Sequence, residues 1–248
     1  MGIQDLMLKS PYLNAASMFG FAPPSHWPLD LPPGAFITHP ISLKPRAPAE
    51  NRTVLQFAGG FLLHTGLPNP GLFATLKQFA RRWARSPLPV WVHIIPSSPA
   101  EAAQMVAHLE NIEGVTAIEL GLPPGLTDDE NLRMIEAACG ELPLLVSLPV
   151  DRYREAWVFQ TGKSPVSGLI LSAPRGVLFR TDRTLVEGRL YGPALFPQML
   201  AAFHALRSTG LPLIVGCGLY RHADVEAVLA SGALAVQFDG ALWKGLLP

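Results

Sequence analysis

Four polar residues in this sequence are of the types that bind a small anion. His39, Ser147 and Ser172 lie at or near the ends of short apolar runs, and Arg189 lies in a later segment. An imidazole, two hydroxyls and a guanidinium can all donate hydrogen bonds to a carboxylate or a phosphate. If the apolar runs are parallel strands of a barrel, their carboxyl ends meet at one face. One hypothesis from the residues alone is therefore a site for a small anionic ligand.

Glycines and a carboxylate follow the last two apolar runs. Gly216 and Gly218 come after one of them, and Asp239 and Gly240 come after the other. Loops at these places in a barrel can hold a phosphate on backbone N–H groups. The Asp239 carboxylate would repel a phosphate, and its position also suits the N-cap of a terminal helix over Ala241–Leu246.

Other kinds of chemistry lack the spacing they need. The histidines show no metal-ligand pattern, so no metal site is predicted. No Walker, nucleophile-elbow or Ser-His-Asp signature is present. Thr127 and the two aspartates after it are interpreted as a helix cap and first turn, and Cys217 as a small buried apolar residue. No residue stands out as a general base, and no catalytic residue is assigned.

Short apolar runs alternate with longer segments of helical period, which is typical of βα units around a parallel sheet. The predicted strands are Tyr12–Ala16, Ala35–Thr38, Pro89–Ile94, Ala117–Leu120, Leu144–Leu148, Gly168–Leu171, Leu213–Val215 and Ala235–Phe238. The main predicted helices are Pro70–Arg85, Pro99–Ile112, Asp128–Cys139, Pro193–Ser208 and Ala223–Ala230. Eight such units predict an α/β fold, a (β/α)8 TIM barrel that forms a single domain over residues 1–248. A doubly wound open sheet is the alternative, and the lack of a Gly-rich turn after the first strand disfavours its nucleotide-binding form.

The loops after the predicted strands resemble those of the dihydroorotate dehydrogenase family, FMN-dependent flavoproteins built on a (β/α)8 barrel. The first, LKSPYLNAASMFGF, is similar to the family's Leu-Lys-Asn-Pro, Asn-Ala-Ser-Gly and Phe-Gly. The second, ITHPISLKPRAPAENR with GGFLLHTGLPNPG, is similar to its Pro-Arg, Gly-Gly and Asn-Pro-Gly pattern. GPALFP and VGCGL resemble its Gly-Pro-Ala and Gly-x-Gly-Gly-Ile. The resemblance extends from Leu8 to about Leu242.

This resemblance implies flavin and substrate positions at the C-terminal face of the barrel. The implied FMN-binding residues are Ala15, Ala16, His39, Ser147, Gly192, Gly216, Gly218 and Gly240, and the implied substrate-binding residues are Asn69 and Ser172. Several family groups are replaced. The two flavin-side lysines fall at His39 and Ser147, and a substrate asparagine falls at Leu63. The family's Asn-x-Ser-Cys-Pro-Asn loop, which carries its base, falls at GLPPGL, with Gly121 in place of the first asparagine.

Three functions follow, and they leave open whether the chain is an enzyme. The resemblance implies an FMN-dependent oxidoreductase that acts on the CH–CH bond of dihydroorotate in pyrimidine biosynthesis. The replaced groups favour a pseudoenzyme, a flavin-free relative that serves as a structural or regulatory partner. The third hypothesis is a barrel rebuilt for another small anionic ligand.

Composition narrows the classes of partner. Lys plus Arg (19) equals Asp plus Glu (19), so no nucleic-acid or anionic membrane surface is predicted. The two distant cysteines predict reduced thiols and a cytoplasmic location. The segment MGIQDLMLKSPYL has no signal-peptide pattern, and no apolar run is long enough for a membrane span. A homo-oligomer and a partner subunit both stay open.

Overall fold

The structure, a computed structural model, describes residues 6, 8–163 and 165–246. Residues 1–5 and 7 of the N-terminal stretch that was predicted not to be a signal peptide lie outside the described residues.

Eight parallel strands close into a barrel, and four others form a small antiparallel sheet beside it. The strands are β1 Tyr12–Asn14, β2 Pro33–Ile37, β3 Thr53–Phe57, β4 Gly60–His64, β5 Val90–Ile94, β6 Val115–Gly121, β7 Leu144–Pro149, β8 Gly168–Ser172, β9 Arg175–Phe179, β10 Leu185–Tyr191, β11 Leu213–Val215 and β12 Ala235–Phe238. The order around the barrel is β1, β2, β5, β6, β7, β8, β11 and β12. All eight predicted strands are confirmed, and the pairing of β12 with β1 excludes the open sheet.

Helices cover the outside of the barrel. They are α1 Leu72–Ala84, α2 Pro99–Leu109, α3 Asp128–Ala137, α4 Ala156–Gln160, α5 Phe196–Leu206, α6 His222–Ala230 and α7 Ala241–Lys244. The predicted cap of α3 is confirmed as a capping box: Thr127 Oγ1 accepts from the Glu130 amide at 3.3 Å, and Glu130 Oε2 accepts from the Thr127 amide at 2.8 Å. The predicted Asp239 cap is wrong, because Gly240 holds the cap position of α7 without a side-chain bond.

The barrel interior is layered because side chains on a strand point inward at every second residue. The lower layer is apolar and consists of Leu13, Ala35, Ile37, Trp91, Ala117, Leu145, Ile170, Ile214 and Ala235. Two residues further along the strands, the layer nearer their carboxyl ends holds the residues Ala15, His93, Glu119, Ser147, Ser172, Gly216 and Gln237. This second layer forms the floor of the barrel mouth.

The small sheet was not predicted from the sequence. Its order is β3–β4–β10–β9, so that two hairpins far apart in the chain join through β4 and β10. The register places Arg189 opposite Leu63 and Tyr191 opposite Phe61. Gly192 follows β10 and has a φ of 141°. A Cβ on residue 192 would lie 3.0 Å from the carbonyl carbon of Gly59. Glycine at this position therefore allows β10 to pass close to the β3–β4 turn and carry Arg189 and Tyr191 to the mouth.

Neither cysteine is in a disulfide: Cys217 is buried and Cys139 is half-buried. Burial raises the pKa of the Cys217 thiol well above its usual value, which fits the predicted apolar role. Within the described ranges, no helix combines the length and apolarity that a bilayer crossing requires. The cytoplasmic location stays a prediction.

Candidate functional site

A small cavity lies at the C-terminal mouth of the barrel. Its volume is about 40 Å³, which is room for about three water molecules. The sequence-predicted residues that line it are Ala15, Ala16, Ser147, Ser172, Gly216 and Arg189. Residues from the barrel strands and from the small sheet thus meet at one place.

His39 lies beside this cavity rather than in its lining. Its ring makes an edge contact with Phe21, with 5.3 Å between the ring centroids. Its Nε2 lies 3.1 Å from the Pro68 carbonyl oxygen, which accepts from the ring in the Nε2–H tautomer. Burial lowers the pKa of His39, so the imidazole is neutral at pH 7. Three of the four polar residues predicted to bind an anion thus line the cavity, and anion binding stays a prediction.

Besides His39, three more implied flavin positions lie outside the lining of the mouth cavity. Gly192 lines a separate groove of about 640 Å³ between the small sheet and α7. Gly218, at φ 77°, is packed so tightly that a Cβ would lie 2.6 Å from the Phe196 amide nitrogen. A Cβ at Gly240 would collide with the Tyr220 hydroxyl. FMN binding at these positions stays a prediction.

Asn69 is buried and its side chain bonds within its own loop. Oδ1 accepts from the Ser42 amide at 3.2 Å and from the Gly71 amide at 3.0 Å, and Nδ2 donates to the Leu67 carbonyl at 3.1 Å. Asn69 is not among the residues that line the mouth cavity. Its predicted substrate contact is untested, and the observed bonds hold the loop between β4 and α1.

Three barrel strands carry a buried polar group that was not predicted from the sequence. His93 Nδ1 lies 2.8 Å from Glu119 Oε1, and Gln237 Nε2 donates to Glu119 Oε2 at 3.0 Å. The exposed fractions of these residues are 4%, 2% and 2%, so their polar atoms depend on one another rather than on bulk water. A lone carboxylate in the apolar strand Ala117–Leu120 was the sequence signal for such a group.

The same imidazole explains one departure from the family pattern. A Cβ at Gly121 would lie 2.8 Å from His93 Nε2. Any larger side chain at residue 121 would displace the His93 ring. Gly121, at the position where the resemblance implies an asparagine, therefore fits beside His93 on β5. Gly121 thus leaves room for the His93 ring at the mouth.

Arg189 brings a positive charge to the mouth. Its Nη1 donates to the Ala173 carbonyl at 2.9 Å, and within the described part of the chain no carboxylate pairs with it. Arg175 on the adjacent strand differs, because its Nε lies 2.6 Å from Glu187 Oε1. The Ser172 hydroxyl is also buried and has no hydrogen-bond partner among the described residues. These two groups can both donate to a ligand in the cavity.

A second buried acidic group lies beyond β12. Asp239 is 2% exposed, and burial raises the pKa of its carboxyl group to about 7. Its oxygens lie near the Tyr220 hydroxyl and the amides of Gly240 and Ala241, but they form no hydrogen bond of ordinary geometry within the described ranges. Burial, and then the charge of Asp239, raise the pKa of Tyr220. The loops expected to carry a phosphate site therefore enclose a carboxylate and a tyrosine.

No family model matches the chain. Among curated proteins, it is 27% identical over 256 residues to the dihydroorotate dehydrogenase B (NAD(+)) catalytic subunit of Pelobacter propionicus, covering 95% of this chain and 84% of that protein. It is 26% identical over 257 residues to the protein of the same name from Desulforudis audaxviator, covering 94% and 83%.

Among solved structures, the chain is similar in fold to a dihydroorotate dehydrogenase from Eimeria tenella crystallised in complex with ferulenol. The TM-score is 0.74 at 15% identity, and the match covers 98% of this chain and 79% of that chain. Over nearly its whole length the chain is therefore similar in sequence to dihydroorotate dehydrogenase B catalytic subunits, and its barrel is similar in fold to a dihydroorotate dehydrogenase.

Proposed function

We propose that this chain is a dihydroorotate dehydrogenase-like barrel that works without flavin and binds a small carboxylate at its mouth. The observation that carries the proposal is Arg189, a half-buried guanidinium that lines the cavity and has no carboxylate partner among the described residues. A positive charge of this kind is costly to bury unless an anion compensates it. Ser147 and Ser172 add hydroxyl donors to the same cavity.

The residues of the mouth do not fit an FMN ring system. A cavity of about 40 Å³ has no room for the three fused rings of a flavin, whereas a small acid can occupy the place of a few waters. Arg189 and Tyr191 take up space at positions where the family has small residues, and the close approach of Gly192 to the β3–β4 turn holds them there.

The loops after β11 and β12, where the resemblance implies the FMN phosphate, do not fit that group either. Tyr220 fills the space beside Gly240, and the Asp239 carboxyl group lies near the amides that a phosphate would need. Because burial raises the pKa of Asp239 to about 7, a phosphate here would meet either a repelling carboxylate or a carboxyl group that has to stay protonated. Oxidation of dihydroorotate through FMN, as the resemblance implies, is therefore not the function that we propose.

The absence of flavin predicts the colour of the protein. We expect purified protein to show no visible flavin absorption band, and we expect added FMN neither to co-elute with it in gel filtration nor to raise its melting temperature. A yellow preparation with one FMN per chain would contradict the flavin-free proposal.

A matched pair of arginines tests the carboxylate site. We expect pyruvate at about 100 times its Kd to stabilise the protein by about 2.7 kcal/mol, which for a chain of this size is a rise of roughly 5–11 °C in melting temperature. Arg189→Gln should abolish that rise, because it removes the charge that the anion compensates. Arg175→Gln should retain it, because Arg175 already pairs with Glu187 on the same sheet.

Phosphate, tested in parallel, shows whether the site selects a planar carboxylate or accepts any small anion. An equal rise in the wild type and in Arg189→Gln would contradict the assigned role of Arg189. If no anion raises the melting temperature of the wild type, the carboxylate site is wrong.

The second candidate function, a structural or regulatory partner, would then be favoured. The curated relatives are named as catalytic subunits, and the β9–β10 hairpin here exposes Val177, Phe179 and Leu185 at 53%, 69% and 63%. An apolar surface of this kind is typical of protein contacts.

A further inference from the structure

We propose that His93 is the acid–base residue of the mouth, and that the site catalyses reversible proton removal next to the carbonyl group of a small 2-oxo acid. This inference rests on the proposed function, since the acid has to bind at Arg189. It adds a reaction and a residue that the family resemblance does not assign.

The orientation of His93 is held by its neighbours. Glu119 Oε1 lies 2.8 Å from Nδ1, an ion-pair distance without the angle of a hydrogen bond, and the Gln237 amide donates to the other carboxylate oxygen at 3.0 Å. The His93 backbone amide donates to Thr38 Oγ1 at 3.1 Å. A carboxylate beside one ring nitrogen favours the tautomer with the proton on that nitrogen. The lone pair of the imidazole is then on Nε2.

Nε2 is the atom available for chemistry. Within the described residues no hydrogen bond engages it, although His93 is only 4% exposed and lines the mouth cavity. Gly121 leaves room beside it, since even a methyl group there would lie 2.8 Å away. A buried imidazole with a carboxylate beside one nitrogen and a cavity beside the other has the arrangement of a general base.

The other groups of the cavity suit the charge that such a base creates. When Nε2 takes a proton from the carbon next to the carbonyl group, the C–H electron pair forms a C=C bond and the carbonyl π pair moves to the oxygen. The resulting enolate oxygen can accept hydrogen bonds from Ser147 and Ser172, while Arg189 holds the carboxylate. Return of the proton from Nε2 to carbon restores the acid, so the step needs no further reactant.

The size of the cavity limits the substrate. A volume of about 40 Å³ corresponds to about three waters, which leaves room for an acid of about three or four carbon atoms. Pyruvate and 2-oxobutanoate are the probes that combine this size with a carboxylate, a carbonyl group and an exchangeable C–H bond.

The test is the exchange of pyruvate methyl protons in D₂O, followed by the loss of the methyl proton NMR signal. We expect the wild type to exceed the buffer rate, and we expect His93→Gln to lower the enzymatic rate by about 100-fold or more. His93→Gln should keep the pyruvate-induced rise in melting temperature, because Arg189 and the two serines remain. His108→Gln, on the outer helix α2 against Phe73, is the matched control and should exchange at the wild-type rate.

Two further variants address folding and orientation. If His93→Gln does not fold, Gly121→Ala places a methyl group against Nε2 and should also lower the exchange. Glu119→Gln tests a positioning role. It should change the tautomer of His93, as reported by the ¹⁵N shifts of its ring, and lower the exchange rate while the pyruvate-induced stabilisation persists.

The outcomes separate the two proposals. If pyruvate stabilises the wild type but its protons exchange no faster than in buffer, the role of His93 is overturned and the carboxylate site stands. If His93→Gln exchanges at the wild-type rate, the role of His93 is likewise overturned. If pyruvate neither stabilises the protein nor exchanges, the proposed function fails as well.

Discussion

The free energy of unfolding of the wild type is expected to fall by about 4 kcal/mol between about pH 4 and pH 7 because of Asp239, and Asp239→Asn is expected to abolish this fall. Burial raises the pKa of this carboxyl group from 3.8 to about 7. The folded state therefore binds a proton more tightly than the unfolded state does. Stability from this group is full below pH 4, falls as the pH rises through the folded pKa, and is constant above it. Asparagine stays neutral throughout.

Urea unfolding at pH 5 and pH 8 measures this effect. The wild type should lose about 2 to 3 kcal/mol more than Asp239→Asn over that interval, since the contributions of other groups cancel in the comparison. The side chains that interact with Asp239 electrostatically are Tyr220, Tyr191 and Cys217. Because the Tyr220 hydroxyl lowers the pKa of Asp239, Tyr220→Phe should extend the loss to higher pH and so enlarge the difference between pH 5 and pH 8. Equal slopes in the wild type and Asp239→Asn would contradict the buried-carboxyl interpretation.

Trp83→Ala is expected to lower the free energy of unfolding by about 3–5 kcal/mol. Trp83 lies on the inner face of α1 and is fully buried in the core between the barrel and its helices. Its indole N–H donates to the Phe21 carbonyl at 2.7 Å. The loop between β1 and β2 contains no helix, and this bond ties it to α1 next to the ring of His39. Removing the indole leaves a cavity and frees the loop.

Chemical unfolding of two controls separates these contributions. Phe73→Ala removes a large side chain from the same helix, but Phe73 is 53% exposed, so it should cost much less. Trp83→Phe keeps most of the apolar volume and leaves the Phe21 carbonyl unpaired, which should cost about 1–3 kcal/mol. If Trp83→Ala and Phe73→Ala destabilise the protein equally, the core role assigned to Trp83 is wrong.

The barrel could be predicted from the sequence because each of its strands carries a local signal. Runs such as Leu144–Leu148 are apolar on both faces, and Thr127 with Glu130 is a local capping pattern that defines the start of α3. The small sheet could not be predicted in this way. Its central pairing brings Leu63 opposite Arg189, and no local pattern records a contact between residues so far apart in the chain.

The candidate site at the barrel mouth could likewise be predicted only in part. Ser147, Ser172 and Gly216 were predicted and meet at the mouth, because strand ends in a closed barrel converge. His39 was predicted too, yet it packs on Phe21 beside the cavity. The His93–Glu119 contact was missed because it joins two strands, and neither residue alone has a motif around it.

The eight-stranded barrel and the resemblance to the dihydroorotate dehydrogenase family could be predicted from the sequence, because both depend on local periodicity and on the order of residues along the chain. The replacement of that family's polar groups stays a prediction. The fold was needed to show that Arg189 and Tyr191 line the mouth cavity, that Tyr220 and Asp239 lie close together after β11 and β12, and that His93 lies beside Glu119. Each of these depends on which distant residues the closed barrel brings within a few ångströms, since the space and the charge around a side chain are set by its neighbours in the fold.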